Sequence, residues 1–215
     1  MTKPAGTALR AIVLLAAFAG GLSASLNAVA TIIDEWASVS VPPPPAVKPV
    51  TIDKATTALL MLDFNKQTCN MQRRPRCIAS IPRVKSLLVA ARAAGVPVAW
   101  SLGGGGKPAD LPEELAPAAG ESIVSSGVDK FANTELESFL KGKGVKTVIM
   151  VGAAAHGAVL YTASTAVMKG FKVIVPVDGM SADNAYAEQY TAWHFANAPL
   201  VSSGVTLTTI DGVKF

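Results

Sequence analysis

An aspartate closes the first strongly apolar run of the chain. The run Thr57 to Leu62 reads TALLML, and Asp63 follows it directly. An unbroken apolar run of this length predicts a strand buried in a parallel sheet. A carboxylate at the end of such a strand is costly to bury unless it is hydrogen-bonded or takes part in chemistry. Two interpretations of Asp63 follow: an acid or base in a reaction, or a cap for the next segment.

A second place for chemistry is the turn between two later apolar runs. Thr147 to Val151 precede a small-residue turn at 152–157 that contains His156; a helical stretch then leads to the apolar run 172–177. Two β-rich runs joined by one helix predict a βαβ unit and a parallel sheet, whose ligands bind beyond the carboxyl ends of the strands. The positive end of the helix dipole favours a neutral His156 that can accept a proton. A hydrogen-bonded structural histidine is the other interpretation.

The polar segment after Asp63 is basic and holds both cysteines. It reads FNKQTCNMQRRPRC, with Cys69 and Cys77 flanking Arg73 and Arg74. The arginines suit an anion-binding rim or, alternatively, a solvated loop face. A disulfide would stiffen this loop in an exported protein, whereas free thiols are expected inside a cell. Neither histidine is near the cysteines in sequence, so the sequence predicts no metal site.

The composition predicts one folded domain and argues against nucleic-acid binding. The 215 residues are 50% hydrophobic and 16% charged, which fits a buried, mainly parallel sheet. Lys3 and Arg10 lie in the leader described next, and without them the 19 basic residues become 17 against 15 acidic ones. So small an excess gives no case for a nucleic-acid partner.

The N-terminal residues have the layout of a secretory signal peptide. A basic start, an apolar run over 11–19 and the small residues Ala28-Val29-Ala30 fill residues 1–30. An uncleaved anchor is the alternative, although too few strongly apolar residues stand in a row. We expect export to the periplasm or the medium, and no stable membrane insertion after cleavage. Residues 31–50 are expected to form an arm and a Pro-rich strap at Pro42–Pro45 before a domain over 51–215.

The remaining patterns predict the elements that position these residues. Helices are expected over 81–94, 134–140 with Asn133 as its cap, and 182–198, and further strands over 96–102, 121–124 and 205–209. The four glycines 103–106 are interpreted as a flexible loop, with a lid as one use. Tyr186, Tyr190 and Trp193 share one face of the last helix, which is expected to pack against the sheet or a partner subunit. We therefore expect a homo-oligomer.

Three motifs in this order carry a family resemblance. They are DFN at 63–65, GVDKF at 127–131 and G-x-x-x-x-x-x-V-x-x-T-A at 152–163. Together they resemble the isochorismatase-like hydrolases, also called cysteine hydrolases, which include nicotinamidases and related amidases. The resemblance implies an α/β fold, a Rossmann-like three-layer α/β/α sandwich with a six-stranded, mainly parallel sheet. It also implies a small-molecule substrate, a frequent oligomer and no cofactor.

The resemblance also implies roles for individual residues. Asp63 and Lys130 match the catalytic Asp and Lys, whereas the position of the nucleophilic Cys holds Ala158. A methyl group cannot attack a carbonyl, so the acyl-enzyme route is closed there. In this family the oxyanion is held by backbone amides beside a cis peptide, here at Ala154 and Ala155.

Three functions are consistent with these residues. Isochorismatases proper have a small residue at the Cys position, and by resemblance Asp63 would protonate a vinyl ether while Lys130, Asn65, Arg73 and Arg74 hold the anionic substrate. Alternatively, water activated by Asp63 and His156 hydrolyses an amide or ester. The third interpretation is a binding protein that has lost catalysis.

Overall fold

The chain divides into two units, residues 1–41 and residues 42–215. The computed structural model describes Thr2 and residues 30–215, so the predicted signal peptide lies almost wholly outside the described residues. In the first unit a short helix, α1 (Ile32–Glu35), is followed by a 3₁₀ turn (Trp36–Ser38), and the Ile33 and Trp36 side chains are exposed. Among the described residues, no helix combines the length and the apolar character needed to cross a bilayer.

The second unit alternates strands and helices. In chain order its elements are β1 (Val50–Thr51), β2 (Thr57–Leu62), α2 (Pro75–Ala93), β3 (Val98–Leu102), β4 (Ser122–Ser125), α3 (Leu136–Gly142), β5 (Thr147–Ala153), α4 (Leu160–Met168), β6 (Lys172–Pro176), β7 (Met180–Ser181), α5 (Ala185–Asn197), β8 (Val205–Thr208) and β9 (Val213–Lys214). A π-helical turn, Ala155–Val159, joins β5 to α4. The predicted βαβ unit is thus β5, α4 and β6.

The main sheet is parallel throughout, as the βαβ pattern predicts. Its strand order is β4-β3-β2-β5-β6-β8, and the two-residue β7 pairs with the end of β5 as a seventh strand. The sequence predicted six strands; β7 is missed because two residues carry no periodicity. β1 and β9 form a separate two-stranded parallel pair.

Helices cover both faces of this sheet, which confirms the three-layer α/β/α architecture. Alternate residues of β2 enter different cores: Leu59 and Met61 join the cluster under α2, whereas Leu60 and Leu62 join the cluster under α3, α4 and α5. This division follows from the two-residue period of a strand. Both faces are buried, so every residue of β2 is buried and every one after Thr57 is apolar.

Two predicted helix starts are wrong. α2 begins at Pro75, and Pro82 lies inside it instead of in its first turn. The missing N–H of a proline is tolerated at the first helical position, which Pro75 occupies. Asn133 does not cap α3: it has a φ of 55°, and the Thr134 hydroxyl accepts the Leu136 N–H at 3.3 Å.

The last helix also differs from its predicted role. α5 starts at Ala185, after Asn184, whose side chain accepts the Ala187 N–H at 3.0 Å. Its sheet-facing residues are Ala187, Thr191, Ala192 and Phe195, so packing of Tyr186, Tyr190 and Trp193 against the sheet is wrong. These three aromatic side chains are exposed, and Trp193 borders a groove with the strap Pro42–Pro45.

Gly152 lets β2 and β5 approach each other at the strand ends. It pairs with Leu62 and has a φ of 139°, outside the range that other residues favour. A Cβ at this position would collide with the Leu62 carbonyl oxygen. The small residue at this position therefore keeps the end of β5 next to the end of β2.

Candidate functional site

The site lies where the strand order reverses. From β2 the chain moves outward to β3 and β4, and then returns to place β5 on the other side of β2. The carboxyl ends of β2 and β5 therefore border a crevice that no crossover covers, the usual place for ligands in such sheets. Asp63 follows β2, and the turn with His156 and Ala158 follows β5.

Asp63 is held in an unusual backbone conformation beneath this crevice. Its φ is 52°, in the left-handed region that few non-glycine residues occupy. Its N–H donates to the Ser101 carbonyl at 3.1 Å, and its Oδ1 accepts from the Ser101 hydroxyl at 2.6 Å. Ser101 on β3 thus orients the carboxylate, a role that no local sequence pattern predicted.

Lys130 completes a buried ion pair with Asp63. The Lys130 Nζ lies 2.7 Å from Asp63 Oδ2, and the lysine side chain has 0% exposure. The ammonium also donates to the carbonyls of Gly127 at 2.6 Å and Ser126 at 3.4 Å. The three protons of the ammonium therefore have three acceptors, which is the condition for burying such a charge.

The GVDKF segment is fixed to α4 by hydroxyl groups. The Lys130 N–H donates to Thr162 Oγ1 at 3.1 Å, and the Thr165 hydroxyl donates to Asp129 Oδ2 at 2.8 Å. These bonds hold the second sequence motif against the helix in which the third motif ends. The contribution of Thr165 was not anticipated.

Burial raises the pKa of the Asp63 carboxyl above its ordinary value. Loss of solvent is the largest influence on this pKa, and the attraction of Lys130, the two hydrogen bonds and the charge of Arg74 oppose it. The raised pKa means that the proton is released less readily than from a free aspartate. Such a group can carry a proton to a substrate more often than an exposed carboxylate.

Gly103 and Asn65 shape the wall beside Asp63. Asn65 Nδ2 donates to the Gly103 carbonyl at 2.9 Å, and Asn65 Oδ1 accepts the Gly103 N–H at 3.1 Å. A Cβ at Gly103 would collide with the Asp63 carboxylate. The glycine run 103–106 is therefore anchored at its first residue, next to the acid, where a side chain does not fit.

A cavity of about 490 Å³ opens above Asp63. It is lined by residues from all three motif regions and from the basic loop: Asp63, Gln67, Thr68, Arg73, Arg74, Gly103, Gly104, Ser126, Gly127, Val128, Ala154, His156, Gly157, Ala158 and Tyr161. The structure thus brings Asp63, His156, Ala158 and the two arginines to one cavity. The peptide bond Ala153–Ala154 at its floor is cis.

Two of the residues expected to contact the substrate, Asn65 and Ala155, do not line this cavity. Asn65 is fully buried, and its amide is occupied by Gly103 and by Gln67 Oε1 at 2.8 Å. Direct substrate binding by Asn65 is therefore wrong in this geometry, and its role is to position Gly103. Ala155 is likewise buried, in the core beneath α4 and α5, and only Ala154 of that pair lines the cavity.

The basic loop is closed by a disulfide and tied to the start of α5. Cys69 and Cys77 are bonded, with their Cα atoms 5.5 Å apart, which settles the alternative left by the sequence. Arg73 and Arg74 lie inside this loop, and the Nε atoms of both approach the carboxylate of Asp183. Asp183 is a further residue that the sequence did not single out. It lies just beyond β7, the strand that was also missed.

Metal ligands are not clustered in the described part of the chain: no group of three or more His, Cys, Asp or Glu side chains there could hold an ion.

Residues 57–211 match the family described as the isochorismatase domain. The chain belongs to the isochorismatase family. The matched range begins with β2 and includes all three motifs as well as Asp183. The family's fold, an α/β domain built on a mainly parallel sheet, is the one described above.

The relatives of this chain are named for different activities. The secreted isochorismatase effector Isc1 of Verticillium dahliae is 31% identical over 146 residues, which are 62% of this chain and 77% of that protein. The N-carbamoylsarcosine amidase of an Arthrobacter species is 38% identical over 69 residues, which are 32% of this chain and only 26% of the amidase.

Solved structures show the same fold at lower identity. An isochorismatase-like hydrolase from Alkaliphilus metalliredigens has a TM-score of 0.64 at 22% identity, covering 73% of this chain and 96% of its own. The nicotinamidase from Staphylococcus aureus has a TM-score of 0.63 at 19% identity, covering 72% of this chain and 98% of its own. Isochorismatase-family folds thus occur in proteins with different named activities, and the substrate depends on the site itself.

Proposed function

We propose that this protein is an isochorismatase-family hydrolase of a small anionic molecule, with Asp63 as general acid or base and without a Cys nucleophile. The observation that carries the proposal is the buried Asp63–Lys130 pair beneath an open cavity. Replacing such a pair by apolar residues is often neutral or stabilising, so stability alone is a weak reason to keep it. Its position at the strand ends favours a chemical role.

Ala158 favours a reaction without a covalent intermediate. Ala158 lines the cavity and offers only a methyl group, so no side chain there can form an acyl-enzyme. Both cysteines of the chain are bonded to each other, so neither offers a free thiol as a nucleophile. The reaction consistent with these facts is one in which Asp63 moves a proton and water breaks the bond.

For a vinyl ether the steps balance without a nucleophilic side chain. Asp63 gives its proton to the terminal vinyl carbon, and the positive charge passes to the carbon that bears the ether oxygen. Water adds to that carbon and returns one proton to Asp63, and the resulting hemiketal breaks into an alcohol and a ketone. Lys130, 2.7 Å away, stabilises the carboxylate while the proton is absent.

The test is hydrolysis by the purified protein beside its Asp63→Asn variant. The panel contains isochorismate, nicotinamide and simple amides and esters. For each compound of the panel that is turned over, we expect the rate to fall by about 10²-fold or more in the variant, the usual contribution of a positioned acid. Asp211→Asn, an exposed charge change outside the cavity lining, serves as the matched control and should keep full activity. Full activity in Asp63→Asn would refute a catalytic Asp63.

The pH profile shows which way Asp63 moves the proton. Because burial raises its pKa, the active form of an acid persists above the usual range of an aspartate, and kcat/KM falls as the pH rises through that pKa. If Asp63 instead activates water towards an amide, kcat/KM rises through the same pKa. A profile that is flat across this range would contradict both roles.

A binding protein is the alternative outcome of this panel. The cavity, the arginines and the methyl group of Ala158 would also suit a protein that retains a small anion without converting it. If no compound of the panel is hydrolysed, and one of them binds saturably to both the wild-type protein and Asp63→Asn, a binding function is favoured over hydrolysis.

We also propose that the protein is exported. The N-terminal layout of residues 1–30 supports this, as does the disulfide between Cys69 and Cys77, since such bonds persist mainly in oxidising compartments. One relative is named as a secreted effector. N-terminal sequencing of the protein recovered outside the cytoplasm, with Thr31 as the expected first residue, tests the proposal.

A further inference from the structure

Two arginines of the cavity wall share one carboxylate. Arg73 Nε lies 3.5 Å from Asp183 Oδ2, and Arg74 Nε is in close ion-pair contact with Asp183 Oδ1 without hydrogen-bond alignment. Arg74 also donates from Nη1 to the Thr68 carbonyl at 2.8 Å and is buried, whereas Arg73 is well exposed. Arg74 is thus fixed in place, and Arg73 is free to turn towards a ligand.

The fold places Asp183 behind these arginines by several contacts. β7 pairs with the end of β5, so the chain leaves the sheet beside the cavity floor. The Ala182 N–H donates to Glu188 Oε1 at 3.0 Å, and Asn184 caps α5. Glu188 in turn accepts two hydrogen bonds from Arg76, at 2.7 and 2.6 Å. Asp183 therefore occupies a short, well-anchored connection between β7 and α5.

The charges at the cavity leave room for one anionic group. The charged lining residues are Asp63, Arg73 and Arg74, and their ion-pair partners are Lys130 and Asp183. When Asp63 is ionised, as in the resting ion pair, Lys130 balances its charge, and Asp183 balances one arginine. One positive charge is left over, and without Asp183 there would be two.

Apolar side chains border the same opening. Val128 and Tyr161 line the cavity, and both side chains are 53% exposed. Tyr161 offers a ring face for a planar group. A small ligand with one carboxylate and one apolar or aromatic part matches both the charge and the surface.

We propose that Asp183 is a specificity-determining residue that restricts this cavity to substrates with a single anionic group attached to a planar apolar body. This inference rests on the proposed function for its site, but it concerns recognition and does not require turnover. Arg73 contacts the carboxylate of the ligand. Asp183 acts through the arginines: it neutralises one of their two charges, so that one positive charge remains to attract the ligand.

The test uses three non-reactive probes with the same ring: benzamide, benzoate and phthalate, which carry no, one and two negative charges. Their affinities for the full protein are measured by titration calorimetry. For the wild-type protein we expect benzoate to bind more tightly than benzamide, and phthalate to bind no more tightly than benzoate. Absence of benzoate binding at millimolar concentration would overturn the proposal.

The decisive variant is Asp183→Asn, which keeps the size of the side chain and removes its charge. We expect the ratio of phthalate to benzoate affinity to rise by about fivefold, the scale of a partly exposed charge pair. The rise should shrink in high salt, which screens exposed charges. Asp211→Asn changes the net charge equally and should leave the ratio unchanged. Arg73→Gln should weaken benzoate while sparing benzamide.

A purely structural role for Asp183 gives a different result. If Asp183 only holds the arginines in position, Asp183→Asn weakens benzoate and phthalate together, and the proposal is overturned. Because the probes are not hydrolysed, these results stand even if Asp63→Asn shows that the site is not catalytic. Failure of the proposed role of Asp183 and failure of the proposed hydrolase function are therefore separate outcomes.

Discussion

Lys130→Met isolates the contribution of the buried ion pair to stability. Methionine keeps much of the length of the lysine side chain but removes the ammonium that lies 2.7 Å from Asp63. The carboxylate is then left with the single hydrogen bond from the Ser101 hydroxyl, and the Gly127 and Ser126 carbonyls lose a donor. The variant therefore tests whether this pair must be complete for the folded state to persist.

The expected loss is large because both partners are buried. Removing one partner of a buried pair typically lowers the free energy of unfolding by ~3–5 kcal/mol, since the other charge stays uncompensated. The double variant Asp63→Asn, Lys130→Met should recover part of this loss, because no buried charge remains. Lys141→Met breaks the exposed pair with Glu137 instead and should change stability by about 1 kcal/mol or less.

The loss should depend on pH in a stated direction. Burial raises the folded-state pKa of Asp63 above its unfolded value, so this group contributes stability that is present below the unfolded pKa and is lost as the pH rises through the folded pKa. Lys130 opposes that rise, and the pKa is therefore higher still in Lys130→Met. The variant's deficit should grow as the pH rises above the folded-state pKa that Asp63 has in the wild-type protein.

Urea unfolding at several pH values, with the disulfide intact, measures this deficit. The wild-type protein, Lys130→Met, the double variant and Lys141→Met are compared under the same conditions. A deficit below about 1 kcal/mol at every pH, or one that shrinks as the pH rises, would refute a buried and mutually dependent Asp63–Lys130 pair.

Two further predictions concern the frame of the site. Replacing Cys69 and Cys77 by serine opens a loop whose ends are 8 residues apart and should lower the free energy of unfolding by ~2.5 kcal/mol on chain-entropy grounds, measured by urea unfolding; an unchanged midpoint would contradict this. Gly152→Ala should abolish or strongly reduce folded protein, because its Cβ would collide with the Leu62 carbonyl. Gly144→Ala, also at positive φ but with open space around it, should cost only ~1 kcal/mol in thermal or urea unfolding.

The local sequence was sufficient to predict the architecture of the sheet. Apolar runs that end in polar residues predicted the central strands, and the β5, α4, β6 unit required them to be parallel. Helix starts were less certain because several residues can serve as caps. Pro75 and Pro82 both suit the first turn of a helix. In the structure α2 begins at Pro75, inside the Cys69–Cys77 loop, which contacts the segment before α5 through Arg74.

The residues of the candidate site could be predicted only in part from the local sequence. Asp63, Lys130, His156 and Ala158 were identified by strand ends and motifs, and the strand ends do meet at one cavity. Ser101 and Asp183 carried no local signal, because a serine in a strand and an aspartate before a helix are common in any protein. Their importance comes from contacts with residues far away in sequence. Ser101 lies 38 residues from Asp63, and Asp183 lies about 110 residues from Arg73 and Arg74.

The sequence by itself determined the fold class, the strand that ends in Asp63 and the methyl group at Ala158, since each depends on residue type and local periodicity. Only the tertiary structure decided which charges face one another. It paired Lys130 with Asp63, assigned Asn65 to the Gly103 backbone instead of the substrate, and set Asp183 against Arg73 and Arg74. The physical reason is that electrostatic pairing depends on separation in space and on burial, and neither is fixed until the sheet has formed.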